Sequence, residues 1–111
     1  MASPELAWSE SDAQVLTVEV KGDWLLRAGM PALDAVLDRL GAAPAPLCVR
    51  FDASRLGDWD TALLAALVVI IRRAREQSID VEQAGLPDAS QRLLSLAFAG
   101  REPEGARRRN G

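Results

Sequence analysis

Apolar residues alternate with polar ones along some parts of the chain and recur at helical spacing along others. Residues 13–20 carry apolar side chains at every second position, so they are predicted to form a strand with one buried face. Residues 21–23 (Lys-Gly-Asp) are typical of a turn, and residues 24–26 are therefore predicted to return as the second strand of a hairpin. Residues 30–40 show the apolar spacing of an amphipathic helix, which Gly41 ends.

The most apolar part of the chain is a strand, a polar loop and a helix in direct succession. Residues 47–52 are predicted to form an inner strand, and residues 53–59 a polar loop. Asp60 is predicted to cap the next helix, because its carboxylate can accept hydrogen bonds from the free amides of the first turn. Residues 62–71 are all apolar. A helix of this composition is too apolar to keep one side in water, so either the domain covers both sides or another chain covers one.

The remaining pattern completes an alternation of strands and helices. Residues 80–84 are predicted to form a short strand near a sheet edge, and residues 87–98 a third helix. This order predicts an α/β fold, with a mostly parallel four-stranded sheet, an antiparallel edge hairpin and three helices. We expect residues 13–98 to form this single domain, with residues 1–12 as a flexible lead and residues 99–111 as a basic tail or linker.

Composition narrows the classes of function. The chain is 49% hydrophobic and 26% charged, values typical of globular domains, so a packed core is expected. Cys48 is the only cysteine and there is no histidine, so the usual nitrogen and sulfur ligands of zinc and the histidine-dependent nucleophiles are missing. We therefore predict that the protein is not an enzyme and uses no metal or cofactor. The single cysteine favours a reducing compartment, and no signal peptide or membrane-spanning run is visible.

Charge is distributed unevenly along the chain. Residues 1–100 contain nine basic and fourteen acidic residues, whereas residues 101–111 contain four arginines and two glutamates. An acidic body argues against sequence-independent binding of nucleic acid, which requires a basic surface. The basic end is suited to an anionic membrane surface or to a linker toward one.

Three short segments carry a resemblance to a known family. They are residues 22–24 (Gly-Asp-Trp), residues 49–54 (Val-Arg-Phe-Asp-Ala-Ser) and residues 59–62 (Trp-Asp-Thr-Ala). Their order resembles the STAS domain, the module shared by sulfate transporters and anti-sigma-factor antagonists, over about residues 13–98. The chain looks most like the small STAS subunit of Mla-type lipid ABC transporters and the STAS segment that precedes some Mla-type permeases. It departs from the family after the hydroxyl residue, where the family commonly has glycine and this chain has Ala-Leu-Leu.

The resemblance implies a non-enzymatic regulatory or assembly module of a Mla-type phospholipid transporter. Such a module would lie in the cytoplasm at the inner face of the membrane, docked on the ATPase subunit and close to the permease. The polar loop lies at the carboxyl end of a predicted strand, where partner surfaces form in parallel sheets. The residues expected to contact the partner are Asp58, Trp59, Asp60, Thr61 and Leu64, with Thr61 making a hydrogen bond across the interface. The same helix is more apolar than one buried face requires, so a homodimer that covers its other face remains an alternative.

Two other functions remain open. In antagonists of the family the hydroxyl that matches Thr61 is phosphorylated, so the chain would then be a signalling switch, although Asp58 and Asp60 would repel the phosphate. The second alternative is a small-molecule or lipid-binding module that uses the apolar helix at residues 62–71. Plain capping of that helix explains Asp60 and Thr61 equally well without any partner.

Two further interpretations concern single side chains. Trp59 is either an exposed interface anchor or a staple packed on Leu63 or Leu64, and the staple is favoured. Oxygen ligands from Asp52, Asp58 and Asp60 are compatible with a hard cation, but no phosphate-binding loop accompanies them, so a metal site is disfavoured.

Overall fold

A computed structural model describes residues 3–11, 14–29 and 31–99. Within these residues the chain forms five strands, three α-helices and one 3₁₀ helix. They are β1 (Glu5–Glu10), β2 (Val15–Trp24), the 3₁₀ helix Leu26–Ala28, α1 (Asp34–Gly41), β3 (Cys48–Asp52), β4 (Leu56–Trp59), α2 (Thr61–Glu76), β5 (Asp80–Glu82) and α3 (Asp88–Ala99).

The strands form one mixed sheet in the order β1-β2-β3-β5. β1 is antiparallel to β2, whereas β3 is parallel to both β2 and β5. β4 pairs in parallel with the end of β2. The α/β fold with an antiparallel edge strand, a central β3 and an outer β5 is therefore confirmed, and the sheet has five strands where four were predicted.

The predicted hairpin was wrong in its position. Residues 1–12 were predicted to be a flexible lead, yet Glu5–Glu10 form the edge strand β1. The antiparallel pair is β1 with β2, and β2 continues through residues 21–23 to Trp24, where a second hairpin strand was predicted. Gly22 keeps the turn-like φ of +79° that its sequence suggested, but it produces an irregularity within β2 and not a reversal.

Strand β1 is held by an ion pair with α1 that the apolar pattern of the sequence does not predict. The Nε atom of Arg39, on α1, donates to a carboxylate oxygen of Glu10 at 2.8 Å, and the two side chains form an ion pair at the surface. This contact joins the end of β1 to a helix that follows it by more than twenty residues. Alternation of apolar residues carries no information about such a contact.

Two other predicted boundaries also change. The first helix was predicted over residues 30–40, but α1 begins at Asp34, and Met30 lies outside the described residues. The loop predicted over residues 53–59 contains β4, because Leu56 and Trp59 pair with the end of β2. The third helix agrees closely with its prediction. The C-terminal limit of the domain stays a prediction, since residues 100–111 lie outside the described part of the chain.

The core lies between one face of the sheet and the helices. On β2, Leu16, Val18 and Val20 are buried while the residues between them are only partly covered. Seven residues of α2, six of them in the apolar run at residues 62–71, are buried in this core: Ala62, Leu63, Ala66, Leu67, Ile70, Ile71 and Ala74. Its remaining side reaches solvent at Thr61, Ala65 and Val69. In the described residues, no helix is both long and apolar enough to span a bilayer.

Candidate partner-binding site at the start of the second helix

The candidate site forms where β2 and β4 end and α2 begins. The amide of Asp60 donates to the carbonyl oxygen of Trp24 at 3.0 Å, so the end of β2 lies directly beside the helix start. Trp24 itself is fully buried, and its Nε1 donates to the carbonyl oxygen of Lys21 at 2.9 Å. Trp24 is therefore a core residue. A buried tryptophan whose indole N–H is hydrogen-bonded stabilises this end of the sheet.

The Asp60 carboxylate holds two separate segments of backbone. Its Oδ1 accepts from the amide of Ala62 at 2.9 Å, which confirms the predicted N-cap. The amide of Leu26 also donates to this carboxylate, at 3.2 Å to Oδ1 and 3.1 Å to Oδ2. One side chain therefore caps α2 and fixes the 3₁₀ turn that follows β2.

A second aspartate, Asp23, likewise accepts a hydrogen bond from a backbone amide, here on the neighbouring strand β4. Oδ1 of Asp23 accepts from the amide of Asp58 at 2.9 Å. Gly57 makes room for this contact, because a Cβ atom there would overlap the same oxygen. Gly22 is likewise required, since a Cβ atom there would overlap the carbonyl oxygen of Ser3. The Gly-Asp-Trp segment of the family resemblance thus builds the site from within β2.

The five predicted site residues share one end of the molecule but differ in exposure. Asp58 and Thr61 are exposed, and Asp60 is half-buried in its role as a cap. Trp59 and Leu64 are half-buried and pack against the core, of which Leu63 is a member. Packing within the domain, the favoured interpretation of Trp59, agrees with this position. The surface that a partner can reach is therefore centred on Thr61 and Asp58, with only parts of Trp59 and Leu64.

Three acidic side chains of this region, Asp23, Asp52 and Asp60, accept hydrogen bonds from backbone amides. Oδ1 of Asp52 accepts from the amide of Ser54 at 2.9 Å, and the Ser54 hydrogen bonds hold the pKa of Asp52 below its ordinary value. No group of three or more acidic or cysteine side chains that could hold a metal ion occurs among the residues described. Burial, followed by the nearby charges of Glu82 and Asp80, raises the pKa of the Cys48 thiol. This thiol is consequently a poor nucleophile at neutral pH.

A groove lies further along α2, beside α1. Its volume is about 380 Å³ and it is lined by Leu37, Val69, Arg72, Arg73 and Glu76. It is open and partly charged, whereas the apolar side chains of α2 are mostly buried in the core. The lipid-binding alternative therefore has little apolar surface to use on this helix.

Two residues of the site were missed by the sequence analysis. Asp23 was assigned to a turn, although its place in the Gly-Asp-Trp segment was the available signal. Leu26 was assigned to a strand, yet it lies on the 3₁₀ turn with 68% of its surface exposed. No pattern in the sequence indicates that contact, because Leu26 and Asp60 are 34 residues apart.

Similarity to a solved structure supports the fold, although the sequence comparisons found no match. No family model matches the chain, and no curated protein matches it. Among solved structures, the chain is similar to the phosphorylated form of the Bacillus cell fate determinant SpoIIAA, with a TM-score of 0.60 and 9% sequence identity. The match covers 86% of each chain. At this identity the likeness concerns architecture only, and the chain therefore has the STAS-like α/β fold of SpoIIAA.

Proposed function

We propose that the protein is a regulatory module that binds another protein through the start of α2. The supporting observation is the position of Thr61, which is exposed as the first residue of α2 and directly follows Asp60. Asp60 is fixed by its hydrogen bonds to the amides of Ala62 and Leu26. The Thr61 hydroxyl is thus offered to a partner from a rigid support, which lowers the cost of ordering it on binding.

The chemistry of the site is that of recognition. Carboxylates of Asp23, Asp52 and Asp60 accept hydrogen bonds from main-chain amides and so stabilise loops. Asp58 forms no ion pair with any described residue, and its exposed charge is therefore free to meet a basic group on a partner. We accordingly propose a non-enzymatic role without cofactor, metal or nucleic acid.

The finer assignment is a Mla-type lipid ABC transporter, in which this module docks on the ATPase subunit next to the permease. It is supported by the Gly-Asp-Trp and Trp-Asp-Thr-Ala segments at residues 22–24 and 59–62. Both segments contribute to the site: the first ends β2, and the second contains the cap and the exposed hydroxyl. In this role the module works at the cytoplasmic face of the membrane, and the basic composition of residues 101–111 suits an anionic membrane surface.

Affinity for the ATPase subunit of the same organism tests this assignment. Thr61→Glu adds negative charge and bulk at the centre of the site, and we expect at least tenfold weaker binding by calorimetry. Ser95→Glu is the matched control, because Ser95 is also an exposed hydroxyl residue on a helix, but on α3. Circular dichroism should show that both variants keep the fold. Unchanged affinity in Thr61→Glu, or equal weakening in Ser95→Glu, would contradict the proposed surface.

A phosphorylated switch is the second candidate, and the similarity to SpoIIAA in its phosphorylated form favours it. In this case a kinase transfers the γ-phosphoryl group of ATP to the Thr61 hydroxyl oxygen, and ADP and a proton are released. The phosphate would add a charge of about −1.5 to −2 beside Asp58, so it would repel an acidic partner surface. Incubation with a neighbouring kinase should add the mass of one phosphate, and Thr61→Ala should prevent this gain.

A further inference from the structure

We propose that Leu26 is a second anchor of the docking surface, and that the bound protein receives it in an apolar pocket next to a basic side chain. This inference rests on the proposed function, since it adds a contact to the same site. It also assigns a new role to Asp60, which then positions an anchor in addition to capping α2.

The exposure of the Leu26 side chain does not by itself show that Leu26 binds a partner. Its side chain is 68% exposed, as is that of Leu96 on α3. Single exposed leucines are common on protein surfaces, because polar atoms do not suffice to cover a folded chain. A distinguishing observation must therefore come from how the residue is held.

The backbone of Leu26 is fixed on both sides. Its amide donates to both carboxylate oxygens of Asp60, at 3.2 and 3.1 Å. Its carbonyl oxygen accepts from the amide of Gly29 at 3.3 Å, which closes the turn. Gly29 has a φ of +81°, a value that side-chain-bearing residues seldom adopt. An apolar side chain on a fixed turn loses little backbone freedom when a partner covers it.

The same carboxylate places Leu26 beside Thr61. Oδ1 of Asp60 accepts from Leu26 and from Ala62, the residue after Thr61. The 3₁₀ turn and the first turn of α2 are therefore adjacent, and we expect a partner that contacts the Thr61 hydroxyl to reach Leu26 as well. No comparable link to α2 holds Leu96 within the part of the chain described, and Leu96 belongs to a different helix.

The side chains around Leu26 define the chemistry of the partner. Asp58 is exposed on the adjacent strand β4, where Asp23 fixes its amide. An acidic side chain, a hydroxyl and a leucine are therefore presented together. They fit a protein surface with an apolar pocket for Leu26, a hydrogen-bonding group for Thr61 and a lysine or arginine for Asp58.

Affinity for the same ATPase subunit tests the anchor with four variants of the full chain. We expect Leu26→Ser to weaken binding at least tenfold, and Leu26→Met to keep it within about threefold, because methionine still fills an apolar pocket. Leu96→Ser is the matched control, equal in exposure, and should leave affinity unchanged. Thr61→Glu reports on the proposed function in the same titration. Thermal unfolding should show that Leu26→Ser does not lower stability.

The affinities of the four variants distinguish the Leu26 anchor from the proposed function. Loss of affinity in Leu26→Ser and Thr61→Glu, with Leu96→Ser and Leu26→Met unaffected, supports the anchor. Loss in Thr61→Glu alone overturns the anchor and leaves the proposed function standing. Equal loss in Leu26→Ser and Leu96→Ser shows a general effect of removing surface leucines and also overturns it. Absence of binding by the unmodified chain overturns both proposals.

Discussion

Replacing Asp60 with alanine should destabilise the folded chain by more than the loss of an ordinary helix cap. The substitution removes the acceptor of the Ala62 amide at 2.9 Å and the acceptor of the Leu26 amide at 3.1 to 3.2 Å. It also removes a negative charge from the N-terminus of α2, where the helix dipole favours it. Because α2 forms much of the core, disorder in its first turn affects the whole domain.

The size of the effect follows from these contacts. Loss of an N-cap costs typically about 1 kcal/mol, and loss of a further hydrogen bond about 0.5 to 1.5 kcal/mol. The expected loss is therefore about 1.5 to 2.5 kcal/mol. A small domain is stable by about 5 to 15 kcal/mol in total, so the variant still folds.

Urea unfolding measures this loss directly. With a denaturant slope of about 1 to 3 kcal/mol per molar for a small protein, the midpoint should fall by about 1 M. Hydrogen exchange adds local detail, because the amide of Leu26 should exchange faster in the variant. Asp88→Ala is the matched control: Asp88 is an exposed acid in the first turn of α3, and its replacement should cost less than about 0.5 kcal/mol.

Two outcomes would refute this reasoning. If Asp60→Ala and Asp88→Ala cost the same, neither the cap bond to Ala62 nor the bond to Leu26 contributes, and only the charge near the helix N-terminus matters. If stability falls as expected while exchange at Leu26 is unchanged, the 3₁₀ turn is held by contacts other than Asp60.

Three other predictions test the remaining structure. Gly22→Ala should destabilise the fold by at least about 1 to 2 kcal/mol in thermal unfolding, because its φ is +79° and a Cβ atom would overlap the Ser3 carbonyl oxygen. Removing residues 1–4 in the same variant should recover the part due to overlap, and no recovery would contradict that contact. A double-mutant cycle of Arg39→Ala and Glu10→Ala should show coupling that weakens with added salt, and additive losses would mean that the pair does not hold β1. Asp52 has a lowered pKa when folded, so its contribution to stability is present above its ordinary pKa of 3.8 and is lost as the pH falls through the lowered value. The stability difference between Asp52→Asn and the unmodified chain should therefore shrink below about pH 4, and a difference independent of pH would exclude this cause.

Much of the fold could be predicted because burial leaves a periodic trace in the sequence. Apolar residues alternate with polar ones along residues 13–20, and the apolar ones on the predicted buried face of β2 are buried as expected: Leu16, Val18 and Val20. The apolar run of α2 and its cap Asp60 were equally clear, since capping depends on residues adjacent in the chain. Where burial does not vary with a regular period, prediction failed. Edge strand β1 is mostly exposed, and its residues were therefore assigned to a flexible lead.

The candidate site was predicted only in part, for a related reason. Asp58, Asp60 and Thr61 are close in sequence, so a local pattern could select them. Asp23 and Leu26 lie more than thirty residues earlier and join the site only through hydrogen bonds across the fold. Trp59 is half-buried because it packs against the core. The sequence left this packing as one of two alternatives, the other being an exposed interface anchor.

The fold class, the central strand β3, the helix α2 and its cap could all be predicted, because periodic burial and local capping are encoded in neighbouring residues. The tertiary structure alone decided that Glu5–Glu10 complete the sheet, that β2 runs on through Gly22 to Trp24, and that β4 pairs with its end. It also decided that one carboxylate joins the 3₁₀ turn to α2. Those features depend on pairing between distant segments, whose partners are fixed only when the chain has closed around its core.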